Sequence, residues 1–598
     1  MKLTGGQIVM KYLEREHVPY VLGIPGHGIL GFFDALRKSV AAGNTKYIQV
    51  KHEQAAVHMA DGYFRVKGEP LAVFTSIGPG ALNTAIGLAT AYVDSCAVFQ
   101  ISGDTHVQMK GVGVLQEIER YQDSNFIRAL EPLVKRAWRA ESAGQLPRVM
   151  QRSFNQMLTG RKGPVMIALP MNVQAESADV ALPEPELHRA QSLPAGDESA
   201  VLEAVRLLKA AKRPVILLGG AALRANEEAL LVRLAETLGA AVVTTMAGKS
   251  AFPEDHPLYG FHTGSKGTPV GLKLTRSADV ILALGTRFAD ETTCSYKDGV
   301  AFSIPKTKLI HVDTDAGEIG KNYPCEVGIV GDLAQVSRQV LSAYGAPADW
   351  KNGAYAAELL ADKAAWRAQI ERERDKTFDK ITISQLIGEL EDCLPQDTII
   401  STSSGNTQAQ LFQEYRFTNG QKHLTTGGFS TMGWAFPAAL GAKLAAPERP
   451  VIALLGDGDF MMTMQELSTM AQYDIPVVIV LANNRCWMAI KDLQQGMLGE
   501  EHLFGNDFLQ NGESYSPNFA AIAQNFGIQS EKISKRGSVK DAVTRALESG
   551  KPALIEVDVY DGYPESGGGA YGWWDVPIPA YMTERRAKYE SELTGETV

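Results

Sequence analysis

Two periodicities alternate along most of this chain. Short apolar runs that predict strands fall at Tyr20–Gly23, Tyr47–Val50, Leu71–Thr75, Ala97–Ser102 and Val165–Leu169. Between them, apolar positions at helical spacing predict helices through Ile8–Arg15, Gln54–Lys67 and Leu82–Asp94. Strands that alternate with helices imply a parallel, doubly wound sheet. A polar stretch with prolines, Ala175–Ala200, reads as a linker.

The rhythm then restarts, with strands expected at Pro214–Leu218, Ala241–Thr245, Val280–Leu284 and Lys308–Val312. The charged helical stretch Ala356–Lys380 reads as a solvated connector. A third α/β unit follows, with strands at Thr398–Ile400, Val451–Leu455 and Pro476–Leu481, and a tail carries Gly572-Trp573-Trp574-Asp575. The fold class expected is α/β, with three consecutive open, mainly parallel domains. The boundaries are 1–180, 190–350, a helical linker over 351–385, 386–560, and a tail over 561–598.

Length and composition fit this division. A chain of 598 residues is too long for one core, and 45% hydrophobic content fits packed α/β layers. A net charge of −10 gives no reason to expect nucleic acid or an anionic membrane as partner. The five cysteines are scattered, with neither a disulfide framework nor a CxxC cluster. Neither a signal-peptide core nor an apolar run long enough for a membrane span is read, so a cytoplasmic location is expected.

The most informative motif is Gly456-Asp457-Gly458-Asp459, which closes the strand Val451–Leu455, followed by Asn483-Asn484 at the end of the next strand. In a strand–helix–strand frame this places a carboxylate and an amide oxygen at one edge of a parallel sheet. Mg²⁺ takes oxygen ligands at about 2.1 Å and shares them with phosphates. Glycines beside Asp457 let backbone N–H groups approach those phosphates. Upstream, Ser403-Ser404-Gly405-Asn406-Thr407 ends a strand and opens a helix, so it can grip the second face of a diphosphate.

This spacing resembles the signature of thiamine diphosphate (ThDP) enzymes. Their chemistry asks for a carboxylate at N1′ of the aminopyrimidine and a bulky apolar residue that keeps the cofactor bent. Glu53, at a strand-to-helix transition, is a candidate for the first, where a buried carboxyl exchanges a proton with the heterocycle. Taken alone, it also reads as a helix-start glutamate complementing the macrodipole. Met432, in a Gly-rich loop that enters a small-residue helix, is a candidate for the second, since a thioether can wedge between two rings.

With Gly78-Pro79-Gly80-Ala81-Leu82-Asn83 and Thr431-Met432-Gly433 added, the chain is similar across nearly its whole length to the acetolactate synthase-like family of ThDP enzymes. The resemblance implies pyrimidine-binding, central and diphosphate-binding domains. It implies Asp457, Asn484 and the Cys486 carbonyl as Mg²⁺ ligands, Glu53 as activating carboxylate, and Met432 as the residue imposing the bend. The Ser430 carbonyl would receive the N4′ proton, at a position where most relatives have glycine. Gly405, Asn406, Thr407, Gly456, Gly458, Asp459 and Ile490 complete the implied cofactor contacts. A homodimer is the implied minimal unit, with a tetramer common, acting on small carbonyl substrates.

Parts of the chain point to particular branches. Gly163-Pro164-Val165 and Leu169–Gln174 are similar to glyoxylate carboligase, which lacks the glutamate supplied here by Glu53. Ala247–Ser250, Gly285–Thr293, Asp104-Thr105 and Trp573-Trp574 are similar to trihydroxycyclohexanedione hydrolase, which opens a cyclic diketone. Acetolactate synthases carry a non-redox FAD through a motif like Gly285–Asp290 followed by arginine. Glu291 stands in that place here, so tight FAD binding is the less favoured expectation.

On the substrate side the candidates are His27 on a Gly-rich turn, Gln116, His106, Trp487, Lys491 and Ile490. Ile490 falls where protonating decarboxylases carry a glutamate. An apolar residue there leaves the reactive carbanion for a second carbonyl compound, which favours a carboligase over a hydrolase. A catalytically silent binding protein of the same fold is the third expectation.

Overall fold

A computed structural model describes residues 1–122, 124–418 and 420–593 of the chain. The described residues form three six-stranded sheets. In the first the order is Lys46–Gln49, Tyr20–Gly23, Ala72–Thr75, Phe99–Asp104, Val165–Pro170 and Arg136–Arg139, all parallel. The second runs Tyr259–His262, Ala241–Thr244, Pro214–Leu218, Val280–Leu284, Lys308–Asp313 and Val327–Val330. The third runs Lys422–Thr425, Ile399–Thr402, Val451–Gly456, Val478–Asn483, Ala553–Asp558 and Gln529–Ile533.

In each sheet the first strand of the core is flanked on one side by the next strand in sequence and on the other by a later one. The winding therefore reverses beside Tyr20–Gly23, beside Pro214–Leu218 and beside Ile399–Thr402. Crevices at the carboxyl ends of strands, where winding reverses, are where open α/β sheets bind ligands. In the third sheet that crevice lies between Ser403–Gly405 and Gly456–Asp457, and in the first between the His27 turn and Gly78-Pro79-Gly80.

The first unit and one face of the third share an apolar core, the other face of the third has a separate one, and the second unit has its own. Helix Glu53–Lys67 crosses helix Ala435–Ala445 at very short range. A Cβ on Gly62 would meet the Ala438 carbonyl at 2.2 Å, and one on Gly441 would meet the Met59 carbonyl at 1.9 Å. Glycine is required at both crossings because backbone occupies the space. Beside them the buried Trp434 donates to Asp61 Oδ2 at 2.8 Å and stacks under the Arg65 guanidinium.

Three expectations need correction. The stretch Leu82–Asp94 is not one helix: Pro79–Leu82 forms a separate turn, and the helix runs Ala85–Val93. Asn83 at the break turns its side chain to Glu53, and Thr84 Oγ1 bonds back to the Ala81 carbonyl. The polar linker holds a short strand, Ser177–Asp179, paired antiparallel with Lys2–Thr4. The helix Ala354–Asp375 is not a solvated connector. It buries Leu359, Trp366 and Ile370, its Trp366 Nε1 donates to the Gln413 carbonyl at 3.2 Å, and Arg374 pairs with Glu391 at 3.0 Å. Seven- and four-residue steps put those apolar side chains on one stripe, which the surrounding charges concealed.

Candidate active site

The metal motif is assembled by register. Gly456 pairs with Ala482, so Asp457 and Asn483-Asn484 leave the same edge of adjacent strands. Asp457 is 2% exposed, and its carboxylate accepts Gly458 N at 2.9 Å and Arg485 N at 2.7 Å. The Arg485 guanidinium turns away to Asp558, at 2.7 Å. Burial then pushes Asp457 up to about 6. Asn484 is also buried, and its Oδ1 accepts Cys486 N at 3.3 Å, closing the turn that carries the Cys486 carbonyl.

Among the described residues no three His, Cys, Asp or Glu side chains cluster as a ligand set. One buried carboxylate, one amide and one main-chain carbonyl suit a hard cation that takes its remaining oxygens from phosphate and water. The residues present fit Mg²⁺ with a diphosphate. Gly458 is fixed by sterics, since a Cβ there would lie 2.2 Å from the Trp487 ring.

Opposite Asp457, Gly405 has φ +128 and opens helix Asn406–Glu414. Asn406 and Thr407 are buried at its start. Asp459 is placed behind the site: its Oδ1 accepts Gly433 N, and burial raises it to about 7. Thr463 Oγ1 donates to the Gly433 carbonyl at 3.1 Å, so two side chains hold the turn that presents the half-buried Met432. Ser430 lies in that loop with φ +56, a left-handed conformation that favours glycine, and its Oγ donates to Ser404 Oγ at 3.0 Å.

The other group of candidates gathers on the first sheet. Glu53 opens its helix, is 9% exposed, and accepts Asn83 Nδ2 at 2.9 Å. A Cβ on Gly80 would lie 3.0 Å from Glu53 Oε1, and one on Gly78 would lie 2.2 Å from the Gln116 carbonyl. The Gly78–Asn83 turn thus touches both Glu53 and Gln116. Gln116 has φ +72, and its Oε1 is buried without a partner, as is His106 Nδ1. His27 is exposed on the neighbouring turn. Ile490 is 52% exposed near the start of helix Met488–Leu498, and Lys491 pairs with Asp507 at 2.7 Å.

The chain matches the family described as thiamine pyrophosphate enzyme over its N-terminal TPP-binding domain at residues 3–124, its central domain at 201–340 and its C-terminal TPP-binding domain at 403–557. It is 33% identical over 573 residues to a probable acetolactate synthase large subunit of Methanocaldococcus jannaschii, covering 93% of this chain and 92% of that one. The chain belongs to the acetolactate synthase-like family of thiamine diphosphate enzymes. It is also 32% identical over 590 residues to the acetolactate synthase isozyme 3 large subunit of Escherichia coli, covering 96% of this chain and 98% of that one. An acetolactate synthase of Arthrospira platensis is 32% identical over 586 residues.

One further residue, not read from the sequence, bears on the loop of Glu53. Glu466, fully buried and pushed up to about 7 by burial, accepts the backbone N–H groups of Lys51 and His52, each at 3.0 Å. It thereby braces, from the third unit, the loop that ends at Glu53. The amides it braces lie 415 and 414 positions away, so no local pattern announces that role.

Proposed function

We propose that the enzyme joins two carbonyl compounds, with a 2-keto acid such as pyruvate as donor, in the manner of an acetolactate synthase. Similarity to acetolactate synthases over 93–96% of the chain carries this reading. Residues 1–180, 190–350 and 386–560 act as pyrimidine-binding, central and diphosphate-binding domains, with 351–385 joining the last two and 561–598 as a tail. Asp457, Asn484 and the Cys486 carbonyl hold Mg²⁺, and the Gly405–Thr407 turn, Gly456 and Gly458 hold the diphosphate. Bound ThDP supplies a nucleophilic carbon and an electron sink at the thiazolium. Glu53 exchanges a proton with N1′, the Ser430 carbonyl accepts from N4′, and Met432 keeps the rings apart. His27 and Gln116 face the substrate, and Ile490 withholds a proton donor.

A homodimer is the working unit in this reading, with a tetramer as a further assembly. The loop around Gln116 supports it, because Val112, Leu115 and Tyr121 are 68%, 70% and 94% exposed beside buried polar atoms that lack partners. A second copy is the occupant that would cover them. No helix among the described residues is long and apolar enough to cross a membrane, and we assign the enzyme to the cytoplasm.

The central unit also has a cleft where its winding reverses, lined by Gly220, Arg224, Gly285, Arg287 and Glu291. Glu291 in that lining takes the place of a phosphate-binding arginine and supplies no donor charge, so we propose that FAD is not held tightly. The deciding experiment incubates the ThDP- and Mg²⁺-loaded enzyme with pyruvate, alone and with aldehyde or 2-keto acid acceptors, and identifies products by mass. Acyloin or 2-hydroxy-2-acyl acid products are expected. Hydrolysis of a cyclic 1,2-diketone with no such product would overturn the reading in favour of a hydrolase. Glu53→Gln should slow C2–H exchange of bound ThDP by about 10²- to 10⁴-fold, the worth of a positioned acid–base group.

A further inference from the structure

Beyond the third sheet's last core strand, the chain crosses back over the start of helix Asn406–Glu414 and onto the central unit. Ser566, 1% exposed, donates its hydroxyl to Asp492 Oδ1 at 2.7 Å. Asn406 Nδ2 donates to Asp492 Oδ2 at 2.7 Å and to the Ser566 carbonyl at 3.1 Å. Both hydrogens of the Asn406 amide nitrogen are therefore committed behind the helix start, and the side chain has a single orientation. The fit is close: a Cβ on Gly567 would lie 2.8 Å from Asn406 Nδ2 and 3.0 Å from Asp492 Oδ2.

The tail continues from this knot under further restraint. Gln413 Nε2 donates to the Gly569 carbonyl at 2.7 Å, Gln369 Nε2 donates to the Tyr571 hydroxyl at 2.8 Å, and Trp574 Nε1 donates to Asp290 Oδ2 at 2.8 Å. Asp492 itself sits on helix Met488–Leu498, two residues after Ile490. One carboxylate thus joins three parts: the Gly405–Thr407 turn, the helix of Ile490, and the tail.

We propose that Asp492 is a positioning residue of the reaction: by accepting from Asn406 and Ser566 together, it presets the Gly405–Thr407 turn for the cofactor diphosphate and locks the tail segment 562–575 across it. This rests on the reading that the Gly405–Thr407 turn grips that diphosphate. A carboxylate is required because two donors converge on it, and an amide at the same place would turn its own N–H₂ toward one of them. Burial accompanies this role and raises the Asp492 carboxyl above its ordinary range.

The test uses the full chain with ThDP and saturating Mg²⁺. Asp492→Ala should weaken ThDP binding, read by calorimetry, by about 10- to 100-fold, the worth of a lost charge-assisted hydrogen bond. Chymotrypsin cleavage after Tyr571, read by mass without cofactor, should rise in the same variant. At saturating ThDP, kcat should change less than the affinity does, and Asp492→Asn, which keeps one acceptor, should fall between. Ser566→Ala should do the same in milder form, with the double variant weaker than wild type by less than the product of the single effects. If Asp492→Ala does not fold, Ser566→Ala and Asp492→Asn carry the test. ThDP affinity within twofold of wild type, or cleavage unchanged, would overturn the proposal. Asp457→Ala run beside them separates the causes: if it too binds ThDP normally, the cofactor site itself is misassigned, and if it alone loses ThDP, only the part given to Asp492 fails.

Discussion

Replacing Glu466 separates two ways in which a buried carboxylate can hold the loop of Glu53. Its Oε1 accepts Lys51 N and His52 N at 3.0 Å each, and its Oε2 accepts the Thr469 hydroxyl at 2.5 Å. Glu466→Ala leaves two half-buried backbone N–H groups without an acceptor, at up to about 1–3 kcal/mol each, so a loss of at most about 2–6 kcal/mol is expected. Glu466→Gln keeps a carbonyl oxygen for both amides, and the Thr469 hydroxyl can turn to accept, so the loss at pH 5 should stay within about 1 kcal/mol.

The two forms diverge with pH. In the fold the Glu466 carboxyl is raised by burial to about 7 from an ordinary 4.5, so the wild type binds an extra proton between those values. Its contribution is present in full below pH 4.5 and lost as pH rises through 7. The Gln variant does not titrate there and should gain on wild type by up to about 3 kcal/mol between pH 5 and pH 8. Urea unfolding at both pH values, with hydrogen exchange at the Lys51 and His52 amides, measures this. An Ala variant as stable as wild type with unchanged exchange, or a Gln variant as damaged as Ala at pH 5, would refute the bracing argument.

Asp457→Ala should abolish ThDP retention, because the diphosphate loses its bridging cation, and undiminished affinity with Mg²⁺ present would reject the metal assignment. Gly458→Ala should destabilise the chain by about 1–3 kcal/mol and shift tryptophan fluorescence, since its Cβ would fall 2.2 Å from the Trp487 ring; an unchanged spectrum and midpoint would contradict that contact. Ile490→Glu should divert product from acyloin toward free aldehyde by supplying a proton donor, and an unchanged product ratio by mass would remove Ile490 from the pocket.

The sequence alone determined what depends on neighbours along the chain. Apolar runs with helical spacing between them marked three parallel α/β units, and Gly456–Gly458 with Asn484 was legible because strand, turn and register place the two at one edge. Met432 was a candidate through the glycines of its loop, and Glu53, which alone reads as a helix-start residue, became one only through the distant metal motif. Ser430 shows what such reading leaves open: only the backbone reveals that it holds φ +56, a conformation that favours glycine. The buried stripe of the 354–375 helix was hidden because three apolar side chains among many charges matter only when another element covers them. Glu466, Asp492 and Ser566 were beyond reach for a deeper reason. A carboxylate's role is set by the donors that converge on it, and here those donors are the amides of Lys51 and His52, the Asn406 side chain and a tail hydroxyl, brought together only by tertiary packing.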